Sequence, residues 1–264
     1  MLTKGAPPRT RPTLPRALAE AGPREAGLGF GICSVHEGPP VAVHEAERRM
    51  ARAMPPRRRA DFLIGRGALH RALRAAGLTA DAVLFEGVRP LLPPGISASI
   101  SHCDGVAVAV AGPARLFPAL GVDLELSGPP LRAAHLVLRG AEAAALHGAG
   151  RAAERRLLAM FSAKEAAYKA LSPVLGPELR GLRDLVLTAD TADTADTADT
   201  ADTADTADAM DATDAADATD SADAGGFLVH AASRPDLSLR VSVRTLPSGG
   251  VLCWALPLVT PPAP

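Results

Sequence analysis

Three carboxylates and one ammonium stand at spacings that could hold a divalent cation against phosphate. In Leu120-Gly121-Val122-Asp123-Leu124-Glu125, strand alternation would send Asp123 and Glu125 to one face and Leu120, Val122 and Leu124 into a core. In Phe161-Ser162-Ala163-Lys164-Glu165-Ala166-Ala167-Tyr168-Lys169, helical spacing puts Glu165 and Lys169 on a shared face. Mg²⁺ takes one or two protein carboxylates and completes its octahedron with phosphate oxygens and water. A strand pair, a helical carboxylate and a lysine suit that chemistry. Each part alone has a plainer reading: Asp-x-Glu as a solvated strand edge, and Glu165 with Lys169 as an i,i+4 surface ion pair of about 0.2–0.5 kcal/mol.

The surrounding text supplies elements to position these groups. A strand is expected at 29–35, a helix over 44–54 interrupted by Pro55-Pro56, and a helix over 57–76 stopped by Gly77, with Phe62, Leu69 and Leu73 toward a core. A short strand is expected at 82–86. Runs at 97–102 and 106–111 flank Asp104-Gly105, a hairpin signal. Residues 113–118 read as a link. Helices follow at 131–138, 141–147 and 152–171, the last ended by Ser172-Pro173, then strands at 185–187, 227–231, 237–244 and 251–256. Each half offers helices followed by a hairpin, so the expected fold is α+β, a pseudo-twofold pair of similar α/β lobes. Their expected spans are 29–115 and 116–258, after a disordered tail at 1–28.

The 264 residues, 47% of them apolar, can bury a sizeable core. Neither an apolar run of membrane-spanning length nor a secretory h-region is seen, and a cytoplasmic protein is expected. Cys33, Cys103 and Cys253 are far apart and form no CxxC pair, so they read as reduced small hydrophobes. The net charge of −1 hides an asymmetry. Residues 188–224 carry twelve Asp and no Lys or Arg in a Thr-Ala-Asp array, and without those aspartates the chain stands at +11. Such a segment lacks the apolar side chains needed to offset ordering entropy and is expected to be a disordered acidic insert in the second lobe. The basic remainder implies an anionic partner.

Four motifs in order make this specific: Arg89-Pro90-Leu91-Leu92-Pro93, Ser99-Ile100-Ser101-His102-Cys103, Gly121-Val122-Asp123-Leu124-Glu125, and Phe161-Ser162-Ala163-Lys164-Glu165 with Lys169. Their order and spacing resemble the surfactin/enterobactin-type 4′-phosphopantetheinyl transferases. Upstream, Arg58-Arg59 with Phe62 and Gly65-Arg66 resembles the basic helix of the enterobactin-type branch. The resemblance runs from about Arg57 to Lys169. It implies transfer of the phosphopantetheine arm of coenzyme A to a serine of an apo acyl, peptidyl or aryl carrier protein, with release of adenosine 3′,5′-bisphosphate. By the same resemblance Asp123, Glu125 and Glu165 hold Mg²⁺, and Glu165 is also the base for the serine, directly or through water. Lys169 holds the diphosphate, Ser101 and His102 contact the 3′-phosphate and adenosine, and Arg89-Pro90 lies near the adenine. Arg66, with Arg58 or Arg59, contacts phosphate, for which a guanidinium fork is suited. Leu92 and Ala98 depart from the family pattern, which bears on local packing.

Two other classes stay open at this stage. A nucleic-acid-binding protein would use the basic body, but aromatic content is 3% and carboxylates in the groove would repel a phosphate backbone. Another Mg²⁺-dependent phosphoryl or nucleotidyl transferase keeps the metal chemistry but lacks a Walker-type Gly-rich loop. A thiol–imidazole dyad of His102 and Cys103 is disfavoured because strand neighbours face opposite ways. With two lobes around one cofactor, a monomer suffices. The Thr-Ala-Asp array invites one conjecture, that it mimics an acidic carrier helix and competes for the basic face.

Overall fold

In the computed structural model, which describes residues 13–38, 43–86, 89–146, 150–190 and 225–258, the elements run α1 (Leu14–Ala21), β1 (Gly29–Ser34), α2 (Glu45–Arg52), α3 (Pro56–Ala75), β2 (Phe85–Glu86), β3 (Arg89–Pro90), β4 (Ile96–Cys103) and β5 (Val106–Pro113). They continue with β6 (Gly121–Glu125), α4 (Ala134–Val137), α5 (Gly140–Ala144), α6 (Arg151–Leu175), β7 (Leu185–Ala189), β8 (Gly225–Ala231), β9 (Arg234–Thr245) and β10 (Val251–Pro257). A three-stranded sheet has the order β1-β5-β4 and a five-stranded sheet the order β6-β10-β9-β8-β7; β2 and β3 make a separate small pair. The result is the expected α+β pair of lobes, each a long helix laid on an antiparallel sheet.

Strand β5 shows how the two layers are specified. Its valines, Val106, Val108 and Val110, pack with Val122, Leu124, Leu252 and Trp254 between the two sheets. Its alanines, Ala107, Ala109 and Ala111, face α3 beside Ala68 and Ala72. Small residues on the helix side allow close helix–sheet approach, whereas branched ones fill the wider gap between sheets. Asp104 and Gly105, both at positive φ (46° and 75°), close the β4–β5 hairpin as their sequence predicts.

The lobes repeat one another in detail. A Cβ on Gly31 of β1 would overlap the Ala68 carbonyl and the Ala72 amide of α3. A Cβ on Gly121 of β6 would overlap the Ala166 carbonyl of α6, with the Ala170 amide close behind. Arg71 donates to the carbonyl of Ile32, one residue after Gly31, and Lys169 donates to the carbonyl of Val122, one residue after Gly121. Each lobe also buries a glutamate. Glu47 accepts the amides of His44 and Val83 (2.8 and 2.7 Å), and Glu142 accepts those of Arg139 and Leu187 (2.7 and 2.8 Å). A helix cation completes each arrangement: Arg66 donates to the Val83 and Leu84 carbonyls, and Lys164 to Glu142 and the Val137 and Leu185 carbonyls.

Three expectations are corrected. Residues 13–28 are not a loose tail: Leu18 of α1 is fully buried against the inter-sheet core, and Glu25 accepts the indole N–H of Trp254 at 2.9 Å. Helix α6 does not end at Ser172-Pro173, because Leu171 and Leu175 on either side are buried and hold a further turn at the expense of one missing N–H. Phe62 lines a cleft with Phe85 instead of entering the core with Leu69 and Leu73. The acidic array joins β7 to β8, whose register runs from Leu185 opposite Ala231 to Ala189 opposite Phe227. Its residues 191–224 lie outside the described ones.

Candidate active site

Strand β6 is the edge of the five-stranded sheet, and the long strand β4 of the other lobe crosses over it. The outward amide of Val122 donates to Ser99 Oγ at 3.1 Å, and the Val122 carbonyl accepts from Lys169 Nζ at 3.1 Å. Side chains thus satisfy an edge that would otherwise offer unpaired backbone groups. Alternation then behaves as predicted. Val122 and Leu124 enter the core between sheets, while Asp123 and Glu125 turn toward α6.

Asp123 is 2% exposed and strongly held. Its Oδ1 accepts from Ser101 Oγ at 3.0 Å and from Lys169 Nζ at 2.6 Å, and its Oδ2 accepts from Ser162 Oγ at 2.8 Å. Lys169 shares its three N–H groups among Asp123, Ser101 and the Val122 carbonyl. Ser162, Glu165 and Lys169 fall three and four residues apart, so one stripe of α6 brings a hydroxyl, a carboxylate and an ammonium to β6. The tight approach at Gly121 fixes the height of that stripe.

Among the described residues the other two carboxylates have no such hydrogen-bond partners. Burial, then the charge of Asp123, pushes the Glu125 carboxyl up to about 7, with Glu165 adding to the repulsion and Lys169 opposing it. Burial followed by Asp123 likewise raises Glu165. Among the described residues no three His, Cys, Asp or Glu side chains converge into a ready-made metal cage. The three carboxylates expected as ligands lie within electrostatic reach of one another, and Glu165 lines the cleft. Two half-buried glutamates beside a third, buried carboxylate fit a site that gains a cation, and Mg²⁺ keeps waters and substrate oxygens alongside one or two carboxylates.

Between the lobes lies a cleft of about 950 Å³. Glu165, Tyr168 and Lys169 of α6 line one wall; Arg58, Arg89, Pro90 and exposed His102 stand on the other. Arg89 also reaches across, donating to the Ser172 carbonyl at 2.9 Å, where Pro173 disturbs the helix ladder. Not every anticipated contact faces this space. Ser101 spends its hydroxyl on Asp123 and Lys169. Arg59 is absent from the cleft lining and donates to the carbonyls of Ala51, Arg52 and Met54, tying α3 to the end of α2. Arg66 lines the cleft, but it is 5% exposed, with its guanidinium over the Phe62 ring and its N–H groups on two carbonyls. Sequence reasoning missed Ser162, Lys164 and Glu142. Ser162 was detectable, since it shares the helical face of Glu165 and Lys169.

A family model for the 4′-phosphopantetheinyl transferase N-terminal domain matches residues 45–112, and one for the 4′-phosphopantetheinyl transferase superfamily matches residues 119–217, together more than half of the chain. The chain belongs to the 4′-phosphopantetheinyl transferase superfamily. It is 33% identical to enterobactin synthase component D of Salmonella typhi over 158 residues, covering 59% of this chain and 65% of that protein. To the 4′-phosphopantetheinyl transferase Svp of Streptomyces mobaraensis it is 37% identical over 144 residues, covering 51% of this chain and 56% of the relative. The chain thus spans between about half and two thirds of the length of these relatives.

Proposed function

We propose that this chain transfers the 4′-phosphopantetheine group of coenzyme A to a serine hydroxyl of an apo carrier protein, releasing adenosine 3′,5′-bisphosphate. One observation carries the reading: within the matched family, a single cleft opposes Arg58, Arg89 and His102 of one lobe to Glu165 and Lys169 of the other. The cationic wall suits the phosphates of a long nucleotide, and guanidinium groups bind such oxygens as forks. Arg89 and Pro90 line the part of the cleft beside Phe85 and Leu92, an apolar surround for a flat base.

Asp123, Glu125 and Glu165 would hold a Mg²⁺ ion, which supplies charge neutralisation at the diphosphate when bound. In the transfer itself the serine Oγ bonds to phosphorus, the P–O bond to the adenosine bisphosphate breaks, and the serine proton leaves for a base. Glu165 lines the cleft, and its carboxyl is raised toward a useful basicity, so it takes that proton directly or through water. Lys169, fixed by Asp123 and Ser101, stands beside the departing bisphosphate. Carrier domains of siderophore, nonribosomal peptide or polyketide synthesis are the acceptor class, in keeping with the enterobactin synthase component among the relatives. One chain supplies both walls, with lobes meeting near residues 115 and 116, and the reaction belongs in the cytoplasm. No helix among the described residues is long and apolar enough to cross a membrane.

Ligand-dependent melting separates this function from its rivals. Coenzyme A with Mg²⁺ should raise the melting temperature, by about 2.7 kcal/mol of added stability at a hundredfold excess over Kd. ATP with Mg²⁺ and duplex DNA should leave it unmoved. Stabilisation by DNA alone would favour nucleic-acid binding and end the transferase reading.

A further inference from the structure

The repeat between the lobes offers an internal control for the active site. Matching Gly31 with Gly121, Ala68 with Ala166 and Arg71 with Lys169 aligns α3 and β1 on α6 and β6. On that alignment Cys33 stands where Asp123 does, Gly67 where Glu165 does, and Ile64 where Ser162 does. Ile64 and Cys33 are both buried, in the apolar core beneath α3. The position of Ser162 is therefore one where this architecture accepts a large apolar side chain. Ser162 is itself fully buried, so its hydroxyl is costly there unless something needs it. It donates to Asp123 Oδ2 at 2.8 Å. The residues that differ between the repeats thus change together: a carboxylate appears on the strand, a second on the helix, and a hydroxyl beneath the first.

We propose that Ser162 is a positioning residue for Asp123. Its hydroxyl takes Oδ2 and fixes the carboxylate plane, while Ser101 and Lys169 take Oδ1. Held at both oxygens, Asp123 cannot rotate about χ2, and its free lone pair keeps one direction relative to Glu125 and Glu165. Partners that orient a ligating carboxylate typically govern metal affinity as strongly as they govern rate. This role rests on the carboxylate cluster of the function proposed above, but its test does not require turnover.

The experiment compares the whole protein with Ser162→Ala and Ser162→Cys, titrating Mn²⁺ in the presence of saturating coenzyme A and following the free ion by electron paramagnetic resonance. Both variants nearly preserve volume, and thermal melts report whether each folds. Mn²⁺ affinity should fall roughly 10- to 100-fold in both, with coenzyme A affinity unchanged. A residue that merely filled space would be spared by the cysteine. Wild-type Mn²⁺ affinity in either folded variant overturns the role of Ser162. A wild-type protein that binds Mn²⁺ and loses it on Ser162→Ala, yet modifies no carrier, would overturn the transfer function and leave Ser162 as assigned. Absence of Mn²⁺ binding by the wild type would overturn both.

Discussion

Glu47 and Asp123 are both buried carboxylates, and their partners give them different uses. Glu47 is surrounded by fixed donors: two backbone amides and the His70 ring N–H, at 2.9 and 3.0 Å from its two oxygens. Burial works against its charge, but these hydrogen bonds outweigh it and hold the carboxyl below its ordinary value of 4.5. Glu47 thereby pins α2 to the segment before β2. A carboxyl depressed in the folded state contributes stability that is present above 4.5 and is lost as pH falls through its folded value. Urea unfolding followed from pH 7 to pH 3 should therefore show an acid limb that flattens in Glu47→Gln, at the expense of lower stability near pH 7. An unchanged acid limb would remove Glu47 as its source. Asp123 instead leans on side chains, of which Lys169 also lines the cleft, and its neighbours Glu125 and Glu165 are raised where Glu47 is lowered. That opposition separates a carboxylate held by fixed donors from two that have no such donors among the described residues.

At the scale of elements, the site is a consequence of how closely α6 lies on β6. Replacing Gly121 by alanine would drive a methyl into the Ala166 carbonyl, costing about 1–3 kcal/mol as overpacking does. It would also lift the Ser162, Glu165 and Lys169 stripe from Asp123. Gly31→Ala makes the equivalent clash with Ala68, in the lobe that lacks the Asp123, Glu125 and Glu165 cluster. Both variants should lose similar stability in urea, whereas only Gly121→Ala should lose most of its transfer rate; equal rate losses would detach activity from this contact. Much of this geometry was legible in the sequence. Period-two alternation placed Asp123 and Glu125 opposite Val122 and Leu124, and the spacing of Glu165 and Lys169 placed them on one helical face. What escaped was decided by distant chain. Burial of Leu171 and Leu175 carried α6 past Pro173, and a core assembled from both sheets ordered Leu18 within a Pro- and Arg-rich segment. Arg59 and Arg66 read as phosphate contacts because nothing in their neighbourhood announces the carbonyls they meet.

The described residues form two similar helix-on-sheet units that face one cleft. The first lobe keeps an apolar helix–strand seam at Ile64 and Cys33 and contributes arginines and His102 to the wall. In the second lobe Ser162, Asp123 and Glu165 occupy the matching positions. The acidic array enters between β7 and β8, where the amide of Asp190, in its first triplet, donates to the Gly226 carbonyl at 3.0 Å. Growth at a hairpin end adds only a slowly rising loop entropy. The central claim is that the opposed walls move phosphopantetheine. It is tested most directly by the mass of apo carrier domains incubated with coenzyme A, Mg²⁺ and either the wild-type chain or Glu165→Gln. The account predicts that the wild type adds one phosphopantetheine to the carrier serine while the folded variant adds essentially none. A wild type that leaves every carrier unmodified, or a Glu165→Gln protein as fast as wild type, would contradict it.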